Sequence, residues 1–354
     1  MRWGEGPGAR LQARVCVTFP LPHGTSPLMV DWSSLPRPIV ALAPMADMSD
    51  LPFCLMCKEH GAPLMFREMV SSEAIVRMSQ KTLEMARSDE GERPLIQQIF
   101  GSEPAVMAEA ARIIEERFHP DGIDINMGCP VYNLVSNFNG AFLIKEPARA
   151  SAIIKAMKAA VTVPISVKTR LGWSKDTDVL DFVKVIEDAG ASLISIHGRT
   201  KEQGYAGIAN WDRIGEARKN TRLPVLVNGD VTTPELAREA MQRAGADGVL
   251  IGRGALGNPW IFKQMTDYLA TDGSQPANVT VSLDERIRVV KQHARLHAQR
   301  YGERGLTRFR KHLAYYFKKE LKQEHPNIAW NEIREKLVRV STLEELDGIL
   351  DGLK

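Results

Sequence analysis

Between Ile39 and Ile251 the chain repeats one pattern: a short β-branched or aliphatic run, a polar loop, then a stretch of helical periodicity. The apolar runs fall near 39–43, 63–68, 94–99, 122–126, 164–168, 192–197, 224–228 and 247–251. Glu103–Arg117, Pro147–Ala160 and Pro234–Arg243 read as amphipathic helices between them, the last with Thr232 or Thr233 as N-cap and Pro234 in its first turn. Eight alternations over this length predict an α/β fold of the (β/α)8 TIM-barrel type, because an open doubly wound sheet usually has fewer strands.

The chain of 354 residues, 44% hydrophobic, has room for a barrel and a small second domain. Residues 1–35 are rich in Gly, Pro and Arg without periodicity and read as a disordered extension, with Met29 as a candidate start of translation. A transit peptide is the weaker reading, since no amphipathic helix is evident there. The expected barrel covers 36–270, a linker of Gly, Ser and Pro composition 271–281, and an all-α domain 282–354. Cys16, Cys54, Cys57 and Cys129 are too few and too irregular for a disulfide framework, which suits a reducing compartment and a cytoplasmic location. No apolar stretch is long enough to span a bilayer.

In such a barrel the chemistry sits at the C-terminal ends of the strands. Those ends should carry Met45, Glu68, Gln98, Asn126, Lys168 with Arg170, His197, Asn228, and Gly252 with Arg253. Asp124 to Pro130 reads as a buried strand opening into a loop that carries Asn126 and Cys129, a thiol that is either inert packing or aimed at a substrate. Asn228-Gly229-Asp230 and the glycines around Arg253 suit a phosphate, because backbone N–H groups at tight turns and helix starts hold anions, and barrels often place this site after strands seven and eight.

The net charge of +3 hides an asymmetry. Between Arg286 and Lys322 twelve Lys or Arg face two acids, Glu303 and Glu320, a local excess of 12 − 2 = +10. Such a surface suits a polyanion, while Phe309, Tyr315, Tyr316 and Phe317, which interleave the basic residues, fit a helical core beside Leu313 and Leu321. Cys54 and Cys57, with His60 three residues further on, have metal-like spacing, but no second pair completes a ligand set; packing is expected and no metal is assigned.

Ala43-Pro44-Met45-Ala46, Glu68-Met69-Val70, Gln98-Ile99-Phe100-Gly101, Asp124 to Pro130, Lys168-Thr169-Arg170, Ile196-His197-Gly198-Arg199-Thr200, Asn228-Gly229-Asp230 and Ile251-Gly252-Arg253 together resemble the tRNA-dihydrouridine synthases, most of all the bacterial B-type branch. The resemblance runs from Ile39 into the C-terminal helices, where Arg310-Lys311-His312-Leu313 is similar to the family's tRNA-binding domain. It implies an FMN enzyme that uses NADPH to reduce the C5–C6 bond of uridines in tRNA. Pro44 and Met45 would border the flavin, Gln98, Lys168 and His197 would bond its edge, and Asn228, Gly229, Asp230, Gly252 and Arg253 would hold its phosphate. Cys129 would be the acid, with Asn126, Arg170 and Lys168 at the substrate and Arg308, Arg310, Lys311, Lys318 and Lys319 on the tRNA backbone. The family usually has Gly-Val-Thr-Asp and Arg where this chain has Asp47-Met48-Ser49-Asp50 and Cys54, which bears on the shape of the flavin pocket.

The reaction adds hydride from reduced flavin at C6 and a proton at C5. A thiol with an ordinary pKa of about 8.5 stays protonated near neutrality yet can donate, so Cys129 is expected to be a general acid. Lys168 would stabilise the reduced, anionic flavin. The alternatives are a flavin barrel acting on a free pyrimidine, which has no use for the basic helices, and a non-catalytic RNA-binding barrel. No protein partner is called for.

Overall fold

The strands predicted from the apolar runs form and close on themselves. They are β1 (Ile39–Leu42), β2 (Leu64–Ser71), β3 (Leu95–Phe100), β4 (Gly122–Met127), β5 (Ile165–Arg170), β6 (Leu193–His197), β7 (Val225–Asn228) and β8 (Gly248–Ile251). All pair in parallel in chain order, and β8 closes on β1 with Ile39 opposite Gly248, so the TIM barrel is the fold. This computed structural model describes residues 29–32, 34–271, 280–302, 305–317 and 321–353, apart from the side chain of Lys322. Lys318, Lys319 and residues 272–279 of the expected linker lie outside the described residues.

The crossover helices begin where the sequence signals them. Pro147–Ala160 forms as predicted, and Pro234–Ala244 is capped by Thr233, whose hydroxyl accepts the Leu236 N–H at 3.3 Å. Alternation along the strands sends Val40, Leu42, Ile123, Ile125, Val167 and Ile194 outward into the helix layer. Ile39, Ala41, Leu64, Phe66, Ile96, Leu193, Leu226 and Leu250 point inward and fill the lower barrel.

Val30 and Trp32 complete that inner core, buried to 7% and 5% exposure. The Val30 N–H donates to the Asp121 carbonyl at 3.0 Å and the Trp32 indole N–H to Ser192 at 2.9 Å. Disorder to residue 35 is therefore corrected for this stretch. The N-terminal mouth of the barrel would otherwise expose its apolar floor, and burying a Trp there is worth about 2–3 kcal/mol.

The helices Leu283–Tyr301, Gly305–Tyr316, Trp330–Leu337 and Leu343–Asp351 follow the barrel and share a separate apolar cluster that includes Val289, Phe309, Leu313, Phe317, Trp330 and Leu346. Met56, on the first barrel helix Leu51–Glu59, joins this cluster, whereas Cys54 and Cys57 on the same helix pack toward the barrel. One helix thus serves two cores. The separate cluster supports the division into a 36–270 barrel and a 282–354 helical unit, which we keep as a proposal. Among the described residues no helix is long and apolar enough to cross a membrane.

Candidate active site

Moving up the barrel, the inward-facing positions change from aliphatic to polar. Two residues above Ile96 stands Gln98, above Leu193 and Ser195 stands His197, and above Leu226 stands Asn228. Strand register sets these side by side: Gln98 pairs with Asp124, Asn126 with Lys168, Arg170 with His197, and His197 with Asn228. The strand-end residues named from the sequence therefore share one mouth, joined by Met45 and by Gly252, whose α-carbon faces the Met45 sulfur.

A chain of hydrogen bonds runs from the barrel interior to Cys129. Ser166 and Gln98 donate to the two oxygens of Asp124, each at 2.6 Å. Gln98 Oε1 accepts from Asn126 Nδ2 at 2.9 Å, and Asn126 Oδ1 accepts the N–H groups of Cys129 at 2.9 Å and Gly128 at 3.2 Å. From the next strand, Arg170 Nε donates to the Gly128 carbonyl at 2.8 Å, while its Nη1 holds the carbonyls of Thr200 and Gly204. On the far side the Ala141 N–H donates to the Cys129 carbonyl at 3.1 Å. Gly140 makes that contact possible, for at φ +61° a Cβ there would lie 2.8 Å from the Cys129 carbonyl oxygen. The cysteine is thus held from β4, β5 and its own loop.

Burial raises the Cys129 thiol above its ordinary pKa, against the Val131 N–H and the charges of Lys168 and Arg170. It remains a thiol at neutral pH. Burial, with Arg170 nearby, brings Lys168 down to about 8, and burial brings Asp124 up to about 6. Burial and the cations Lys168, Arg170 and Arg199 keep His197 neutral. Arg199 donates to His197 Nε2 at 3.2 Å, so the ring carries its proton on Nδ1.

Beyond His197 lies the turn expected to hold a phosphate. Gly229 has φ +111°, and a Cβ there would come within 2.7 Å of the His197 ring. The Asp230 carboxylate does not face the mouth as a ligand. It accepts from Arg199 at 2.6 Å and from the Ala209 N–H at 2.8 Å, partners that hold it below its ordinary pKa despite the opposing effect of burial. Asp230 can serve an anion only through its backbone N–H. Arg253 stays half exposed, 3.4 Å from Asp230 and with its guanidinium 4.9 Å from the Tyr205 ring centre.

The first loop, where the chain departs from the family pattern, is held by its own residues. Asp47 occupies the left-handed conformation at φ +60°, which a glycine would adopt without strain, and its N–H donates to Glu68 at 2.8 Å. Ser49 takes over the turn by bonding the Met45 N–H at 2.7 Å, and Asp50 caps the Leu51–Glu59 helix through Phe53.

Part of the basic charge of the C-terminal helices is neutralised in space. Arg288 pairs with Glu285 at 2.7 Å, Lys291 with Asp351 at 2.9 Å, Arg295 with Asp347 at 3.3 Å and Arg300 with Glu84 at 3.2 Å. Arg286 donates to the Gly257 and Tyr316 carbonyls, and Arg310 to those of Val340 and Arg339. The excess of +10 counted along the segment therefore overstates the open positive surface, because Glu84, Asp347 and Asp351 lie outside it. Arg308 is exposed and lies over the Tyr301 ring at 4.5 Å, and Lys311 stands half-buried on the same helix.

A family model described as "Dihydrouridine synthase (Dus)" matches residues 41–350. The chain belongs to the dihydrouridine synthase family. It is 40% identical over 279 residues to tRNA-dihydrouridine synthase B of Pseudomonas putida, covering 78% of this chain and 81% of that one. It is 37% identical over 281 residues to a probable tRNA-dihydrouridine synthase of Rickettsia conorii, covering 78% and 83%. Among solved structures it is similar to a 2-naphthoyl-CoA reductase complex, with TM-score 0.53 at 11% identity over 65% of this chain and 50% of that one. This likeness to a protein of about twice the matched length is one of fold alone. The B-type resemblance holds, and membership of the dihydrouridine synthase family makes this chain a flavin-dependent oxidoreductase.

Three residues of this dihydrouridine synthase site had no role assigned from the sequence. Asp124 anchors the hydrogen-bond chain, and the two-residue period of a strand already placed it on the face of Asn126. Arg199 ties His197 to Asp230. Tyr205, 61% exposed, lies between Arg170 and Arg253 at 5.5 Å and 4.9 Å, and nothing in the sequence marked it.

Proposed function

We propose that this chain is an FMN-dependent tRNA-dihydrouridine synthase that takes its electrons from NADPH and saturates the C5–C6 bond of particular tRNA uridines. The observation that carries this reading is Cys129, kept a thiol by burial and held through its backbone N–H by Asn126, beside Lys168 in a barrel matched by the family model over 41–350.

The residues present fit an FMN. Ser195 Oγ is buried without a hydrogen-bond partner, a Cβ on Gly252 would meet nothing closer than 3.7 Å, and Lys168, Arg199 and Arg253 gather positive charge on one side of the mouth. Pro44 and Met45 would border the ring, Lys168 and His197 would bond its edge with the second amide proton of Gln98, and the turns at Asn228, Gly229, Asp230, Gly252 and Arg253 would take the phosphate. When bound, the flavin supplies the hydride that uracil C6 receives. Cys129 supplies the proton to C5, and the thiolate left behind is stabilised by Lys168 and Arg170, both of which lower its pKa. The amide of Asn126 is engaged at both ends, so we assign it to holding the Cys129 loop and leave contact with the base to Arg170 Nη2.

The target base must leave its stack, at a cost of a few kcal/mol, to reach this depth. Val131, Tyr132 and Phe138, exposed to 54%, 79% and 53% on the loop after Cys129, offer apolar surface for the displaced nucleoside. Arg308 and Lys311, with Lys318 and Lys319, would contact phosphates, and Arg310 would support them from behind. The cytoplasm is the location this reading calls for. Incubating the purified protein with unmodified tRNA and NADPH, then digesting to nucleosides for mass spectrometry, should reveal dihydrouridine. Reduction of free uridine with tRNA untouched would sink this reading.

A further inference from the structure

The helical unit holds a second constellation of ligating groups on the outer side of the first barrel helix. His293 and His297 stand one turn apart on Leu283–Tyr301, and His312 faces them from Gly305–Tyr316. All three rings are fully buried, at 0% exposure. One ring nitrogen of each lies within 4.8 Å of those of the other two. Among the described residues this is the only group of three or more His, Cys, Asp or Glu whose ligating atoms converge in this way.

These rings are polar groups with almost nothing to bond. His293 Nδ1 lies 3.1 Å from the Tyr316 hydroxyl, while the remaining ring nitrogens of His293, His297 and His312 have no hydrogen-bond partner. A buried polar atom left unpaired destabilises a fold, and five such nitrogens in one cluster are a large burden for a marginally stable protein. Packing alone does not account for it, since the surrounding Phe53, Phe309 and Tyr316 would accept leucines more cheaply.

We propose that His293, His297 and His312 bind a divalent transition-metal ion of the Zn2+ class, which fastens the helical unit to the barrel. An i, i+4 pair on one helix with a third imidazole from the next is the arrangement by which helical bundles build such sites. Ligation through His293 Nε2 and His297 Nδ1 leaves the other nitrogens facing the Tyr316 hydroxyl and the Asp50 carboxylate, at 3.1 Å and 3.7 Å. A carboxylate behind a ligating imidazole orients the ring and offsets charge. With metal–nitrogen bonds of about 2.0–2.1 Å, tetrahedral ligands stand roughly 3.4 Å apart, so the ring nitrogens close in by at most roughly 1.4 Å on binding, and an enclosed water would take the fourth position. Asp50 caps the first barrel helix and Phe53 on that helix stacks on His293 and lies tilted against His312, so the ion would couple the two cores that this helix already touches. The site is sealed from solvent and serves structure, independently of the substrate.

The test is elemental analysis of the full-length protein, purified without a histidine tag and passed through a desalting column. About one equivalent of zinc or a related divalent ion per chain is expected, and the double variant His297→Leu, His312→Leu should lose it while keeping its far-ultraviolet circular dichroism. Should that variant fail to fold, the wild-type protein produced in cobalt-supplemented medium decides: tetrahedral Co2+ shows ligand-field bands to the red of the flavin absorption. A wild-type protein that carries no stoichiometric metal and retains neither Zn2+ nor Co2+ after desalting overturns the proposal, as does undiminished metal in a folded double variant.

Discussion

The side-chain oxygen of Asn126 accepts the amide N–H of Cys129 at 2.9 Å, three residues on along the same turn of chain. Through Gln98 and Asp124 that bond is continuous with the barrel interior, so the strands as well as its own loop set the position of the thiol. A general acid gains from such fixing, because proton transfer in the transition state depends on geometry before pKa.

Replacing Cys129 with Ala should leave a folded protein that binds flavin and is reduced by NADPH at the normal rate, yet makes no dihydrouridine. General acid catalysis is typically worth about 10²–10⁴-fold, so any residual rate should fall by that factor. Stopped-flow flavin reduction read beside nucleoside mass spectrometry separates the two steps. Full product formation would remove Cys129 from the mechanism.

Asn126→Leu orphans the Cys129 and Gly128 amides and Gln98 Oε1 together. Denaturant unfolding should show a loss of about 1–3 kcal/mol for each group left buried and unpaired. The turnover number should drop more than flavin reduction does, since the loop, not the cofactor, loses its anchor.

Asp124 makes stability depend on pH. Its carboxyl stands at about 6 in the fold against an ordinary 3.8, so the folded protein binds the extra proton between those values. The stabilisation is complete at low pH and fades as pH rises through about 6. Against Asp124→Asn, which keeps the shape without the charge, the wild type should lose about 2 kcal/mol between pH 4 and pH 7. Parallel stability curves for the two proteins would show that the carboxyl is not perturbed.

Gly229→Ala forces a β-carbon against the His197 ring at a backbone angle that L-residues seldom adopt. Strain of about 1–3 kcal/mol at the phosphate turn should lower the flavin content of the purified protein, read from the ratio of visible to ultraviolet absorbance.

On the helical unit, Arg308→Glu and Lys311→Glu should weaken tRNA binding, with a smaller slope of affinity against salt. Arg310→Ala should act differently, lowering the melting temperature, because it strips the Arg339 and Val340 carbonyls of their donor. Filter binding at two salt concentrations and a thermal melt of each variant distinguish these roles, and an Arg310 effect on tRNA affinity with an unchanged melt would reverse the assignment.

The barrel was legible because its signals are local. Apolar runs, prolines at helix starts and Thr233 as a cap each act within a few residues, and together they locate the strands to within a residue or so at their starts. The mouth residues followed from the same periodicity, since strand ends in a closed barrel have nowhere else to point. Three things escaped that reading. Val30 and Trp32 lie in a segment of loop-like composition and order only against the barrel floor. The basic segment from Arg286 onward read as an open cationic face, although Glu84, Asp347 and Asp351 neutralise part of it from other elements. His293 and His297 have metal-site spacing along one helix, but His312, which completes the cluster, comes from the next helix and meets them only in the fold.

By itself, then, the sequence determined the barrel, the order of its strands and the polar ring at their ends, because hydrophobic period and turn chemistry are properties of neighbouring residues. Only the tertiary structure decided what each polar group faces. That Asn126 spends its amide on the Cys129 loop, that Asp230 answers Arg199, and that three histidines meet in one dry pocket depend on register and packing between segments far apart in the chain. Hydrogen bonds and charges act over a few ångströms of space, a distance along which sequence separation carries no information.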